Sequence, residues 1–223
     1  MASHLDLEEQ EQLAELKHFW QRWGNLITWV AIVVLGAYAA WNGWQLWSNR
    51  QAAQAAALYD SVERAASTGD LTLLERATND IEEQFGGTTY AHQSALLAAR
   101  IFVDKGNSAA ARRQLQWVID KGRDEAYQAL ARLRLGALLM QDQAFDEARK
   151  VLSASVPSAF EPLMADRLGD LDMLQNQPQQ AIAQYRKAWK GMEANAEYRR
   201  LVAVKLASLG QDPEEATTSE GKK

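Results

Sequence analysis

The hydrophobic pattern divides the chain into one long apolar run and a longer stretch in which apolar residues recur every three or four positions. No Asp, Glu, Lys or Arg lies between Arg22 and Arg50. Within this run, the segment 26–47 would form a helix of about 33 Å at ~1.5 Å per residue, and a bilayer core is about 30 Å thick. The pattern predicts a transmembrane helix, which we place over residues 23–49.

Tryptophans lie at both ends of this apolar run. Trp20 and Trp23 come at its start, whereas Trp41, Trp44 and Trp47 close it. An indole ring prefers the headgroup boundary, where the ring stays in lipid while its N–H reaches water. This distribution favours a membrane span over the alternative, a buried helix of a soluble bundle.

A cleaved signal peptide is the second alternative to a retained anchor. The Ala-Tyr-Ala at 37–39 resembles a cleavage site, and residues 26–35 could serve as the hydrophobic region before it. However, the segment 1–22 carries five acidic residues against Lys17 and Arg22. A signal peptide begins with a short and positive region instead, so we expect an uncleaved anchor.

The basic residues around the apolar run predict its orientation. Lys17 and Arg22 precede the run and only Arg50 follows it closely. Positive residues favour the cytoplasmic side, and a long trailing domain can cross regardless of its own charge. We therefore expect a single-pass membrane protein, with the acidic segment 1–22 in the cytoplasm and the C-terminal domain on the opposite side of the membrane.

After the apolar run, three stretches share one arrangement and predict helical repeats over residues 50–209. Each has a polar turn followed by a small residue, and a large apolar residue lies four positions after this small residue. A second small residue lies twelve positions before it. A weaker fourth copy has Leu74 as its reference position, which gives steps of 37, 37 and 33 residues, the period of helix-turn-helix repeats. The three sets are Ala99, Ala111 and Leu115; Gly136, Ala148 and Leu152; and Gly169, Ala181 and Tyr185.

This pattern resembles the tetratricopeptide repeat, in which two small residues let the helices of one repeat cross closely. We therefore predict an all-α protein with one transmembrane helix followed by a tetratricopeptide-like solenoid, with Gly136 facing Ala148 and Gly169 facing Ala181. The usual aromatic residue before Leu-Gly is missing, and an unrelated helical bundle is the alternative. Residues from Asn195 onward predict a C-terminal capping helix, and residues 210–223 offer no apolar anchor and predict a disordered tail.

The sequence offers no candidate catalytic chemistry. It has no cysteine, and its three histidines lie far apart. Asp166, Asp170 and Asp172 share one helix but lack the glycine and terminal glutamate of a calcium loop. The sequence contains no phosphate-binding loop, no dinucleotide-binding motif and no nucleophile motif. We predict a protein that is not an enzyme, needs no cofactor or metal and, without a basic patch, does not bind nucleic acid.

Two candidate interaction sites remain. In the membrane helix, small residues on one face would let a partner's helix approach closely, although alanine is common enough in membrane spans for this to be chance. These residues are Gly36, Ala39, Ala40 and Gly43. In the repeats, first helices of this type line a concave groove, which would comprise Gln93, Leu96, Arg100, Val103, Leu133, Met140, Asp166, Asp170 and Met173. The alternative is that the leucines are core and the C-terminal helix covers the groove.

The order of these features resembles the YfgM-like family, whose members are described as ancillary subunits of the SecYEG translocon. The resemblance covers nearly the whole chain and is sharpest over residues 8–24, with Glu8-Glu9-Gln10-Glu11-Gln12-Leu13 and then Trp20 and Trp23-Gly24. It implies a single-pass protein of the bacterial inner membrane with its repeats in the periplasm. It also implies association with the translocon and with a membrane-anchored periplasmic chaperone of the peptidyl-prolyl isomerase type.

Two functions follow from the sequence and the resemblance. In the first, the membrane-anchored repeats are a protein–protein interaction module that receives client polypeptides at the Sec translocon and assists their hand-over to a chaperone. In the second, the protein is a structural or regulatory assembly factor whose acidic cytoplasmic segment, with a net charge of −3 over residues 1–22, binds a soluble partner.

Overall fold

The computed structural model describes the backbone of residues 7–213 and the side-chain surroundings from residue 12 onward. The first six residues of the acidic segment and residues 214–223 of the tail prediction lie outside this part. All regular secondary structure in the described part is helical, which confirms the all-α prediction. The helices are α1 (Leu7–Thr68), α2 (Leu71–Phe85), α3 (Thr89–Asp104), α4 (Ser108–Lys121), α5 (Glu125–Gln141), α6 (Phe145–Leu152), α7 (Glu161–Leu174), α8 (Pro178–Gly191) and α9 (Glu197–Ser208).

The chain divides into two compact units, residues 1–51 and residues 52–223. The first unit contains the apolar run, which lies within α1. Within the described residues this is the one helix long and apolar enough to cross a membrane, and only 6% of its most apolar window is buried. A core helix of a soluble protein would bury such a window, so the exposure of these side chains matches a helix that faces lipid.

The second unit is built from helix hairpins that share one tight turn. In each turn a residue with left-handed backbone geometry lies five positions before the reference residue of the second helix. This reference residue is an alanine in the three full repeats and Leu74 in the weaker copy. The amide after the left-handed residue donates to the carbonyl five residues back, with N–O distances of 2.7, 2.8 and 2.9 Å in the three full repeats. This bond ends the first helix and reverses the chain. The left-handed residues are Gly69 (φ 71°), Gly106 (φ 75°), Gln143 (φ 59°) and Asn176 (φ 58°).

The helices pack tightly at the two glycines where the sequence predicts close crossings within the repeats. A Cβ added at Gly136 would lie 2.5 Å from the side chain of Leu152, and one added at Gly169 would lie 2.5 Å from Tyr185. The side chains nearest the glycines are therefore the large residues four positions after Ala148 and Ala181. The reason is size: a glycine without a side chain leaves a hollow that only a large residue from the second helix fills. That the glycines also face these alanines stays a prediction.

The alanines themselves belong to the core of the second unit. Ala148 and Ala181 are both fully buried, in separate apolar clusters. One cluster extends from Val62 near the end of α1 through the hairpins to Leu171 on α7, and another joins α7, α8 and α9. The last part of α1 therefore packs as a first helix against α2, as the weak fourth repeat predicts.

The last helix, α9, has the features of another first helix. It ends in a left-handed glycine, Gly210 (φ 71°), and the amide of Gln211 donates to the carbonyl of Leu206 at 3.0 Å. Seven residues before Gly210 stands the small residue Ala203, as Ala99 stands seven before Gly106. The described part of the repeat domain therefore ends in half a repeat.

Candidate interaction surface

Equivalent positions of the first helices form a row that we call the first-helix surface. Its members lie nine, six and three residues before the left-handed residue of each turn, so they recur on one face of each helix. They are Leu97, Arg100 and Val103 on α3; Arg134, Ala137 and Met140 on α5; Arg167, Asp170 and Met173 on α7; and Leu201, Val204 and Ala207 on α9.

A cleft opens where α3 and α5 lie side by side. Its volume is about 420 Å³, and its lining combines an apolar floor with charged walls. The floor includes Leu115 and Leu138, and Val103 lies at its edge, 36% exposed. Arg100 and Arg134 supply positive charge, and Asp104 supplies one negative charge, so the lining is net positive. A cleft of this kind can take up an apolar side chain and place a negative group near the guanidinium groups.

Arg134 is the more enclosed of the two arginines. Its Nη1 donates to the carbonyl oxygen of Leu96 at 3.2 Å. Burial, and then the nearby charge of Arg100, lower the pKa of the Arg134 guanidinium. Arg100 is mostly exposed and lies 3.9 Å from the carboxylate of Asp104. The two positive charges therefore repel each other across the cleft, and a negative group between them would relieve this repulsion.

Polar contacts join α9 to α7 at the other end of the first-helix surface. Lys205 Nζ lies 2.7 Å from carboxylate oxygens of both Asp166 and Asp170. Asp166 is fully buried and also accepts a hydrogen bond from the Tyr198 hydroxyl at 2.7 Å. Tyr185 donates to Asp170 at 2.8 Å. The two carboxylates are thus satisfied within the repeat domain, which a buried charge requires.

These contacts also affect the tyrosines. Burial and the hydrogen bond to Asp166 raise the pKa of Tyr198 to about 12. Burial and the hydrogen bond to Asp170 raise the pKa of Tyr185 above its ordinary value. Both hydroxyls therefore stay protonated donors through the whole neutral range, and they hold the aspartates in place.

The structure separates the residues of the predicted groove into two groups. Arg100, Val103 and Met173 are exposed on the first-helix surface, and Met140 and Asp170 belong to it while partly buried. The other predicted residues lie outside this surface. Leu96 and Asp166 are buried, and Leu133 is partly buried against the core. Gln93 donates a hydrogen bond to the Tyr127 hydroxyl at 2.9 Å. Leu96, Leu133 and Asp166 each lie ten residues before the turn, on the side of the helix that meets the neighbouring repeats.

The residues of this surface that sequence reasoning missed include Arg134, Leu201 and Val204. Leu201 and Val204 are 46% and 64% exposed. The signal that could have found them is the spacing between a small residue and the turn residue seven positions later, which Ala203 and Gly210 repeat. The prediction counted α9 as a cap and therefore did not continue the first-helix surface onto it.

The small residues of the membrane helix lie on an exposed face in the first unit. Gly36 and Gly43 have no described atom within 4 Å of the place where a Cβ would be, and Ala39 and Ala40 are exposed. That this face receives a partner's helix stays a prediction.

A second polar cleft lies between α2 and α4, away from the first-helix surface. Its lining includes Glu82, Trp117 and Arg123. Burial raises the pKa of Glu82 to about 7, although the nearby Arg113 opposes the shift. Arg113 pairs with Glu75 instead, at 2.7 Å. A carboxyl with this pKa makes the stability of the domain depend on pH in the neutral range.

Comparisons with known proteins agree with this architecture. A family model described as a tetratricopeptide repeat-like domain matches residues 17–211. A relative from Neisseria gonorrhoeae is 31% identical over 94% of this chain and 100% of its own length. Relatives from Haemophilus influenzae and Escherichia coli are 28% and 27% identical, covering 75% and 82% of this chain and 81% and 85% of theirs.

All three relatives carry the name "ancillary SecYEG translocon subunit". The matched region includes the apolar part of α1 as well as every hairpin, so the likeness covers both units and not the repeats alone. The sequence pattern, the described fold and this likeness lead to one conclusion: the protein belongs to the tetratricopeptide repeat-like family that includes the ancillary SecYEG translocon subunits.

Proposed function

We propose that this protein is a membrane-anchored protein–protein interaction module at the Sec translocon, and that its repeats hold polypeptides that have just crossed the membrane. The names of the three relatives support the association with the translocon. Helical repeats of this kind ordinarily bind polypeptides on an extended surface. The proposed activity is binding, and no step of it needs catalysis.

The observation that carries the proposal is the exposed cleft on the first-helix surface, in a chain that also has an exposed apolar helix. The cleft between α3 and α5 offers an apolar floor and two guanidinium groups. These are features of a surface that binds side chains of varied type. The membrane helix would keep this surface close to the translocation site and thereby raise its effective concentration.

The finer parts of the proposal concern orientation and partners. With its N-terminus in the cytoplasm, the protein would have the repeats in the periplasm, where translocated polypeptides emerge. A membrane-anchored periplasmic chaperone would then receive the client. Within the membrane, the small-residue face of α1 would pack against the membrane helix of a partner. The second candidate function, an assembly factor that acts through its acidic segment, rests on the net charge of −3 over residues 1–22.

The two functions can be separated with two variants in intact membranes. In the first, the five acidic residues of segment 1–22 become amides (Asp6→Asn, Glu8→Gln, Glu9→Gln, Glu11→Gln and Glu15→Gln). In the second, Val103→Asp places a charge at the edge of the cleft. Capture of a stalled exported polypeptide is measured by chemical crosslinking. We expect the amide variant to capture it normally and the Val103→Asp variant to lose capture.

The matched control is Ala183→Asp, which puts the same charge at an exposed position of the second helix α8. It should capture the polypeptide as the unaltered protein does. The opposite pattern, in which the amide variant loses capture and Val103→Asp retains it, would contradict the proposal and favour the assembly-factor function.

A further inference from the structure

The first-helix surface continues past α7 onto α9, where it becomes apolar. Leu201 and Val204 occupy the same positions relative to Gly210 as Leu97 and Arg100 occupy relative to Gly106. Both are well exposed, whereas Val202 and Leu206 on the other side of α9 are fully buried against α7 and α8. α9 is therefore anchored by one face and presents two large apolar side chains on the other.

The charges along the surface are distributed unevenly. At the α3–α5 end, Arg100, Arg134 and Asp104 line the cleft. Asp104 pairs with Arg100 at 3.9 Å, and among the described residues no carboxylate lies within ion-pair distance of Arg134, so the cleft keeps a net positive charge. In the middle, the carboxylates of Asp166 and Asp170 pair with Lys205, and Asp170 also pairs with Arg167 at 3.2 Å. The surface thus offers positive charge at one end and apolar side chains at the other, and its acidic residues are already paired.

We propose that the first-helix surface binds a single extended polypeptide segment that carries an acidic side chain at the α3–α5 cleft and apolar side chains at α9. This inference rests on the proposed function and adds the kind of segment that the surface selects. Complementary charge at the cleft fixes the position of the segment, and burial of its apolar side chains against Leu201 and Val204 supplies the apolar contact.

The length of the segment follows from helix packing. Neighbouring helix axes lie about 8–10 Å apart, so the steps from α5 to α7 and from α7 to α9 span about 20 Å. An extended chain covers about 3.3 Å per residue. The acidic and the apolar side chains should therefore be about six residues apart. A segment with basic residues in place of the acidic one would meet Arg100 and Arg134 and be repelled.

The test uses the full chain in lipid nanodiscs and synthetic peptides with a fluorescent label, with empty nanodiscs to subtract binding to lipid. The main peptide is DDSGSGSLFL, in which the acidic and apolar groups are six residues apart. Three others change one feature each: KKSGSGSLFL reverses the charge, DDSGSGSSSS removes the apolar group, and DDSLFL shortens the spacer. Fluorescence anisotropy gives the affinities. We expect the main peptide to bind most tightly.

Variants of the protein locate the two ends of the segment. Val204→Asp should weaken binding of DDSGSGSLFL by about tenfold, because it removes one apolar contact, and should leave DDSGSGSSSS unaffected. Arg100→Gln should reduce the preference for DDSGSGSLFL over KKSGSGSLFL. Ala183→Asp on α8 is the matched control and should change neither, and Val204→Leu should keep full affinity. Melting curves verify that every variant folds.

Each contrary outcome has its own meaning. If no peptide binds and no polypeptide is captured in membranes, the proposed function fails. If peptides bind and Val103→Asp abolishes binding while Val204→Asp does not, the proposed function holds and the extension onto α9 is wrong. If KKSGSGSLFL binds as tightly as DDSGSGSLFL, the acidic preference is wrong.

Discussion

At the scale of single residues, the geometry of the repeats depends on one left-handed residue in each turn. Glycine adopts this backbone freely, and other residues do so at a cost of about 1–2 kcal/mol. The chain uses Gly69 and Gly106 in two turns but Gln143 and Asn176 in the next two. The cost at Gln143 and Asn176 is tolerated because the surrounding helices fix the turn.

The first prediction concerns Gln143. Gln143→Gly should raise the free energy of unfolding by about 0.5–1 kcal/mol, because relief of the left-handed geometry exceeds the added freedom of the unfolded chain. The reverse exchange in the neighbouring turn, Gly106→Gln, should lower it by a similar amount, since no described atom lies within 4 Å of the new Cβ. Urea unfolding of the repeat domain followed by circular dichroism measures both. Equal stabilities for all three proteins would show that the backbone geometry carries no cost.

The second prediction concerns Glu82 and pH. The folded-state pKa of about 7 lies above the ordinary value of 4.5, so the unfolded chain loses this proton first as pH rises. Stability should therefore fall between about pH 4.5 and pH 7. Glu82→Gln should remove this fall and raise the melting temperature at pH 8. Burial lowers the pKa of His92, and this lowered pKa makes stability rise with pH. Because His92 is present in both proteins, the difference in melting temperature between the unaltered protein and Glu82→Gln isolates the contribution of Glu82.

The control for this experiment is Glu83→Gln at the exposed neighbouring position of α2. It should leave the slope between pH 4.5 and pH 7 in place. If Glu82→Gln melts at the same temperature as the unaltered protein at pH 8, and its melting temperature falls equally between pH 4.5 and pH 7, then burial does not raise the pKa of Glu82.

At the scale of elements, α9 is attached through a charged contact as well as an apolar one. Lys205 lies 2.7 Å from both Asp166 and Asp170, and Asp166 is fully buried. A buried ion pair contributes little net stability while intact, but losing one partner leaves a charge without compensation. The contact therefore fixes where α9 sits on α7 and helps to place Leu201 and Val204.

The third prediction follows from this contact. Lys205→Met should lower the free energy of unfolding by about 3–5 kcal/mol, because it leaves Asp166 buried without its cation. Lys187→Met on α8, an exposed lysine, should change it by less than about 0.5 kcal/mol. Adding Asp166→Asn to Lys205→Met should restore part of the loss. If Lys205→Met is as stable as Lys187→Met, the ion pair does not hold α9.

Sequence patterns predicted the elements better than their contacts. The uncharged run and the spacing of small residues gave the membrane helix and the hairpins, because helix period and chain reversal depend on local residues. How closely Leu152 and Tyr185 approach Gly136 and Gly169 could not be read in the same way, since these distances depend on the angle at which the two helices cross. Asp166 looked like a groove residue because its partner Lys205 lies 39 residues further along the chain.

At the scale of the whole molecule, the proposed function requires the repeats to be outside the cytoplasm. The fourth prediction is that a reporter active only in the periplasm, fused after Lys223, is active, and that the mature protein keeps its N-terminal residues. Basic residues before the apolar run support this orientation, and the acidic segment ahead of it supports an uncleaved N-terminus. A soluble periplasmic form beginning near Ala40 would contradict the anchor, and an inactive reporter would contradict the orientation.

The most direct test is a photo-crosslinking amino acid placed at Val103 in the cleft between α3 and α5, with Ala183 on α8 as the matched position. Living cells that export a slowly translocated polypeptide are irradiated, and the crosslinked products are identified by mass spectrometry. We expect Val103 to crosslink to the exported polypeptide and Ala183 to give no such product. Crosslinks from Ala183 alone, or from neither position while the protein is present in the membrane, would contradict the function proposed for the first-helix surface.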